Sequence, residues 1–406
     1  MKPLHVYFLA TGTWFLAFGM QSVVFAWLVT MVLNESPGMV GIAQMALLLP
    51  TMLLMLVGGS LADHYGGRRI AMLGQLAASI APLFLTCVVV FDELTYGAVI
   101  IFAVLMGCAQ ALVTPARDGL LALVADGLIQ RRVVQVSMIQ FGVQMIGFIA
   151  ASFADALGAR AILMMQFVIL LVGTFAYFKL DVPYVSPASF EHSMITQIKR
   201  SIVQGFLTVK ASPYMRATVM QNCAMGVFFM GSYIVTIPLV IRDVYGGSAI
   251  ELAGVNFANS LGLVLTIMVL LKFGDIHRQG RALLLAQGIG SFALAGAGLG
   301  LGFNSLVVFI FLWGMCGGIA MTMARTTMQE MAPPDQRARM MAFFSFSFMG
   351  SGPVGALLSG ALCEWLGPSQ ALIVSSVAML VVVTIVSFRS SLWKLDTSPA
   401  AAGANT

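Results

Sequence analysis

Gly59-Ser60-Leu61-Ala62-Asp63-His64-Tyr65-Gly66-Gly67-Arg68-Arg69 stands between two apolar runs, residues 38–62 and 70–90. Each run is long enough to cross roughly 30 Å of hydrocarbon as an α-helix of about 20 residues. The stretch between them therefore reads as a tight turn at a membrane face. Its glycines permit a sharp reversal and close helix approach, and Asp63 can face the positive N-terminus of a neighbouring helix. The same alternation of apolar run and polar punctuation fills the chain, with spans expected near 4–33, 38–62, 70–90, 95–117, 134–154, 160–178, 214–241, 250–272, 281–302, 305–326, 340–363 and 369–388. The runs are continuous rather than alternating, which favours helices over barrel strands, and each helix satisfies its own backbone hydrogen bonds in lipid. The expected fold is an all-α membrane protein of twelve transmembrane helices.

Composition agrees with that reading. Of 406 residues only 9% are charged and 59% are hydrophobic, and the mean hydropathy is +0.95. Soluble domains carry roughly a quarter charged residues. The run after Lys2 is about twice the length of a signal-peptide core and is expected to stay as the first span. A net charge of +5 suits cytoplasmic loops better than a nucleic-acid partner, and none is expected. Cys87, Cys108, Cys223, Cys316 and Cys363 all fall in apolar segments without CxxC spacing, so free buried thiols are expected. His5, His64, His192 and His277 are too scattered for a metal site. HExxH, GxSxG, P-loop and CxxC patterns are lacking, which removes the common routes to metal hydrolysis, acyl transfer and ATP-driven pumping. No enzyme, metal or cofactor is expected, and transport must draw on a gradient.

Basic residues set the expected orientation. Of 21 lysines and arginines, Arg160 and Arg242 fall in outer loops and Arg117 and Arg325 within spans if the N-terminus is inside, which leaves the other 17 on the inner side. Both termini are then cytoplasmic. The polar stretch Lys179 to Pro213 carries Met194, Ile198, Ile202 and Phe206 at four-residue steps and reads either as an interfacial helix or as a linker with a helical turn or two. Either way the chain divides into a six-helix half over 1–178, a cytoplasmic linker over 179–213, a second six-helix half over 214–388 and a small-residue tail over 389–406 that is expected to be disordered. A repeat supports the division. Thr114-Pro115-Ala116-Arg117 recurs 208 residues on as Thr322-Met323-Ala324-Arg325, and Asp155-Ala156-Leu157-Gly158 recurs 209 residues on as Glu364-Trp365-Leu366-Gly367. Asp63 with Arg68-Arg69 is echoed by Asp275, Arg278 and Arg281. Two similar halves are what a transporter rocking about a midplane site requires.

The stretch from Gly59 to Arg69 resembles the signature loop of the major facilitator superfamily, G-x-x-x-D-(R/K)-x-G-x-(R/K)-(R/K), with His64 standing where a basic residue is usual. Pro115-Ala116-Arg117-Asp118-Gly119-Leu120-Leu121, the segment Ser137 to Gly158, and Gln204-Gly205-Phe206 with Ser212-Pro213 resemble the branch that contains enterobactin exporters and macrolide efflux pumps. In the fifth span Gly147 is followed by Phe148 where antiporters of the superfamily often have proline, while Gly350-Ser351-Gly352-Pro353-Val354-Gly355 in span eleven is closer to that pattern. The resemblance implies the major facilitator fold, outward transport by alternating access and proton coupling. Gly59, Asp63, Gly66, Arg68 and Arg69 would form the signature loop.

Charge within a span costs about 2.5–3.5 kcal/mol on insertion scales, so each instance needs a reason. Arg117, Asp118, Arg325 and Glu330 lie near inner span ends, where they read as gate and latch residues or as side chains snorkelling to headgroups. No Asp or Glu falls at mid-span, so a coupling proton would be carried near a membrane face, on Asp63, Asp118 or Asp155. Mid-span polarity comes from amides: Gln21, Gln110, Gln140, Gln144, Asn222, Asn256 and Asn259. Each can serve as a substrate contact or as a hydrogen bond between helices worth about 0.6–2 kcal/mol. The 28 methionines and 28 phenylalanines suit an adaptable apolar cavity. The function expected is export of a lipophilic or amphipathic small molecule by a monomer in the inner cell membrane. A dedicated siderophore or metabolite exporter, a lysophospholipid flippase and, from another class, a non-transporting sensor are the alternatives.

Overall fold

In a computed structural model, residues 3–125, 129–182, 203, 205–273, 276–332 and 337–395 are described. Twelve long helices account for nearly all of them: α1 (Pro3–Val32), α2 (Pro37–Tyr65), α3 (Gly67–Val90), α4 (Tyr96–Val124), α5 (Ile129–Ala151), α6 (Ala154–Lys179), α7 (Pro213–Asp243), α8 (Ala249–Phe273), α9 (Gln279–Ala297), α10 (Phe303–Met331), α11 (Arg337–Leu366) and α12 (Pro368–Arg389). Ten of these contain segments long and apolar enough to cross a membrane, and in α5 the apolar part, Gln135–Ala151, is shorter. The remaining helix, α9, carries Gln279, Arg281 and Gln287 along its 19 residues. No strand occurs among the described residues.

Local chemistry sets several boundaries. Ser36, Thr95 and Ser212 each accept from the backbone N–H three residues on, at Met39, Ala98 and Met215, and thereby cap α2, α4 and α7. Pro37 and Pro213 occupy the first helical positions, where a missing N–H costs nothing. Glu251 caps α8 by accepting from the Ser248 backbone N–H at 2.8 Å. Helix α7 passes through π-helical turns at Met225–Met230 and Ser232–Thr236, and α1 ends in one at Leu28–Val32. The fourth span runs past the expected residue 117 to Val124.

The chain packs as two units, Met1–Met194 with Gly246–Phe257, and Ile195–Tyr245 with Ala258–Thr406. In the first unit α1 packs on α5 and α6, and α3 on α4 and α6. In the second, α7 packs on α11 and α12, and α9 on α10 and α12. These are the same pairings six helices on. The repeat also appears in the backbone: Gly158 has φ 79° and ψ 159°, and Gly367, its counterpart, has φ 81° and ψ 158°. Both have the positive φ that favours glycine; Gly158 makes a kink one turn inside α6, and Gly367 stands at the N-cap of α12.

Close helix approach follows the same symmetry. A Cβ on Gly147 would lie 2.4 Å from the Leu16 carbonyl oxygen in α1, and one on Gly355 would lie 2.5 Å from the Val227 carbonyl oxygen in α7. These glycines let α5 and α11 seat directly on the backbone of their partners. In the linker, residues 205–211 are helical, with Phe206 exposed and Val209 buried. Met194, Ile198, Ile202, Lys199 and Arg200 lie outside the described residues, as do Asp275 and the tail from residue 396. The tail begins with a 3₁₀ turn, Ser391–Lys394, where Leu392 is buried and Arg281 donates to the Trp393 carbonyl at 3.0 Å.

Candidate functional site

The signature loop is a single residue. Helix α2 ends at Tyr65, Gly66 takes φ 89° and ψ 128°, and α3 begins at Gly67. The turn delivers Arg68 to the C-terminus of α6, where its Nε donates to the Tyr177 carbonyl at 3.1 Å and its Nη2 to the Phe178 carbonyl at 2.5 Å. The Tyr177 carbonyl also accepts from the Leu180 backbone N–H at 3.2 Å, and both carbonyls sit at the negative end of the helix dipole, where a guanidinium balances their charge. Arg69 and Asp63 are exposed, and no partner for either is found among the described residues. Gly59 lies against Pro115 of α4, at 3.7 Å from its would-be Cβ.

Arg117 takes an interior position. Its side chain is 7% exposed, while that of Asp118 is 62% exposed. Nε and Nη2 both donate to Asp118 Oδ1, at 3.0 and 2.9 Å, and the guanidinium carbon stands 4.6 Å from the Phe15 ring centroid. The Tyr7 hydroxyl donates to the Arg117 carbonyl at 3.2 Å. Tyr7, Thr11 and Phe15 share one face of α1 by their four-residue spacing. Arg325, which follows Arg117 in the repeat, is exposed, and no partner for it appears among the described residues. The two copies of the motif thus place their arginines differently. Glu330 accepts from Gln279 Nε2 at 2.9 Å.

The seven amides divide by what they meet. Gln21 is buried and accepts from Gln166 Nε2 at 3.5 Å, joining α1 to α6. Asn222 is buried and donates to the Phe344 carbonyl at 2.9 Å and to Ser347 Oγ at 2.7 Å, joining α7 to α11. Asn256 donates to the Leu252 carbonyl of its own helix at 2.8 Å, and Asn259 reaches the Ile310 carbonyl at 3.5 Å. Gln110 on α4 and Gln140 and Gln144 on α5 are partly exposed, with no side-chain partner among the described residues. Outside the sequence-derived set, Gln75 Nε2 donates to Thr13 Oγ1 at 3.1 Å and to the Leu170 carbonyl at 3.3 Å, a three-helix node at α1, α3 and α6. A glutamine in the middle of an otherwise apolar third span was the signal available for it.

Asp155 opens α6 and accepts two hydrogen bonds, from Trp27 Nε1 at 2.8 Å and from the Ala249 backbone N–H at 2.8 Å. Its carboxylate therefore lies at the positive end of α8. No group of three or more His, Cys, Asp or Glu is gathered among the described residues.

Twelve long helices in two matched sets, ten of them with segments apolar and long enough to cross a membrane, are the architecture of a polytopic membrane transporter. A family model described as transmembrane secretion effector matches residues 6–404, and the chain belongs to that family of major facilitator transporters. It is 24% identical over 368 residues to the MFS-type transporter YfiS of Bacillus subtilis (strain 168), a match covering 86% of this chain and 84% of that one. Among solved structures it resembles a POT family transporter in complex with 5-aminolevulinic acid, at TM-score 0.75 and 13% identity over 96% of each chain. It also resembles the nucleoside transporter NupG, at TM-score 0.73 and 13% identity over 95% of this chain and 98% of that one. The human organic anion transporter MFSD10 (TETRAN) gives TM-score 0.68 and 12% identity over 95% and 98%. At these identities the likeness is one of fold.

Proposed function

We propose that the protein is a secondary active exporter of lipophilic or amphipathic small molecules, working by alternating access and driven by a proton gradient. The observation that carries this reading is the set of open amides. Gln110, Gln140 and Gln144 keep donors and acceptors unmet on partly exposed surfaces of α4 and α5. An apolar wall with a few fixed polar groups is how proteins bind drug-sized molecules. Outward direction is supported by the family's description as a secretion effector and by resemblance to siderophore and macrolide exporters. Cytoplasmic termini follow from the distribution of basic residues, and such a topology suits a bacterial inner membrane.

The test is efflux from cells and from proteoliposomes against a panel of dyes, drugs, siderophores and lysophospholipids. The double variant Gln140→Ala/Gln144→Ala should raise the KM for an exported compound about tenfold, the size of one or two lost polar contacts, with insertion unchanged. An unaltered KM for every transported compound would remove these amides from the site. Movement of siderophores or lysophospholipids alone would replace the drug reading with a dedicated exporter or a flippase, and binding without any transport would favour a sensor.

A further inference from the structure

The residues that follow α12 do not simply trail from it. Ser390 Oγ accepts from the Leu392 backbone N–H at 3.2 Å and caps the 3₁₀ turn Ser391–Lys394. The Leu395 N–H closes the turn by donating to the Leu392 carbonyl at 3.2 Å. The turn packs on the first part of α7, on α9 and on α12, and Leu392 and Leu395 are 0% and 5% exposed. The first three residues of α9 each make a separate contact at this end of the second unit. Gln279 bonds Glu330 at 2.9 Å and Thr327 at 3.2 Å, which ties α9 to α10. Arg281 Nε donates to the Trp393 carbonyl at 3.0 Å, with its guanidinium carbon 5.6 Å from the Trp393 ring centroid. Gly280 lies between them against the turn itself: the three atoms nearest to a would-be Cβ are the carbonyl oxygen, the carbonyl carbon and Cγ of Leu392. Its backbone is helical, where alanine is the better residue. The seat for Leu392 is what requires glycine there.

We propose that Ser391–Leu395 is a strap, integral to the second unit, that locks the starts of α7 and α9 to the end of α12 and whose seat is specified by Gly280 and Arg281. The first unit has a matching arrangement. Gly67-Arg68 stands where Gly280-Arg281 stands in the second, Arg68 holds the carbonyls at the end of α6, and Leu180 just beyond is 0% exposed. The chain after α12 is thereby a handle on the helix ends: drawing it from its seat loosens the second unit and leaves the first unchanged. The assignment does not depend on what the protein transports.

The experiment follows thermal unfolding and amide hydrogen exchange of the purified protein in detergent, for chains ending at Leu395 and at Ser390, each with and without Gly280→Ala. In the chain that keeps the strap, Gly280→Ala should lower Tm by about 3–10 °C, because a Cβ meets unyielding backbone. In the chain that ends at Ser390 the same substitution has nothing to strike and should leave Tm unchanged or slightly raised through helix propensity. Removing the strap should speed exchange at the starts of α7 and α9 and leave α3 and α6 as they were. An equal effect of Gly280→Ala in both chains overturns the strap, as does no effect in the longer one. If the chain ending at Ser390 fails to fold, the full chain decides: the Leu392 and Leu395 amides should exchange slowly in the wild type and fast in Gly280→Ala. Fast exchange at both amides in the wild type, or no change in the variant, overturns the proposal.

Discussion

Arg68 and Arg69 are neighbours of the same charge that do different things. Arg68 pairs two carbonyls at the end of α6, whereas Arg69 is exposed. Hydrogen bonds to a charged group contribute about 1.5–3 kcal/mol each, less where solvent competes. Arg68→Gln should therefore lower stability by about 1–3 kcal/mol and Arg69→Gln by less than about 0.5 kcal/mol. Thermal unfolding of the two variants in one detergent checks this, and equal losses would mean that the capping contact contributes nothing. The repeat of Asp, Gly and basic residues was legible in the sequence, and so was the position of the turn. The target of Arg68 was not, because Tyr177 and Phe178 accept through backbone oxygens, and backbone oxygens leave no trace in residue type. Arg117 was placed near an inner span end, and that expectation stopped the fourth span at residue 117. The helix continues to Val124 because Arg117 is covered by Phe15 and paired with Asp118, so its charge does not mark a boundary.

At the scale of elements, two glycine seams repeat. Gly147 seats α5 on α1 and Gly355 seats α11 on α7, each at a would-be Cβ distance that a real side chain never shows. Gly147→Val and Gly355→Val should each cost about 1–3 kcal/mol by overpacking against rigid backbone. Gly142 lies on the same helix as Gly147 with nothing within 4 Å, and Gly142→Ala should be neutral or slightly stabilising through helix propensity. Melting temperatures of the three variants test the seams, which would lose their significance if Gly147→Val melted with the wild type. Helix positions were legible because hydropathy sets them. Which amides join helices and which stay open was not, because spans that are apolar nearly all round carry little information about rotation. Gln21 and Asn222 turned out to bond neighbouring helices, while Gln110, Gln140 and Gln144 have similar sequence surroundings and meet no such partner among the described residues.

For the whole molecule the central claim is energetic. The chain has no nucleotide-binding pattern, so transport should persist in ATP-free vesicles whenever an ion gradient is imposed. A carboxylate at mid-span is lacking in the sequence, so under the proposed proton coupling Asp63, Asp118 and Asp155 are the first candidates for the carrier. Asp118 already accepts from Arg117 and Asp155 from Trp27 and Ala249, which leaves Asp63 with the fewest bonds to break on protonation. The measurement that bears most directly on the account is substrate uptake into inverted membrane vesicles under an imposed pH gradient, with the electrical gradient collapsed separately. The account predicts uptake that rises with the pH gradient, continues without ATP and falls in Asp63→Asn. Uptake identical with and without the pH gradient would contradict proton-driven export and leave facilitated diffusion or another coupling ion in its place.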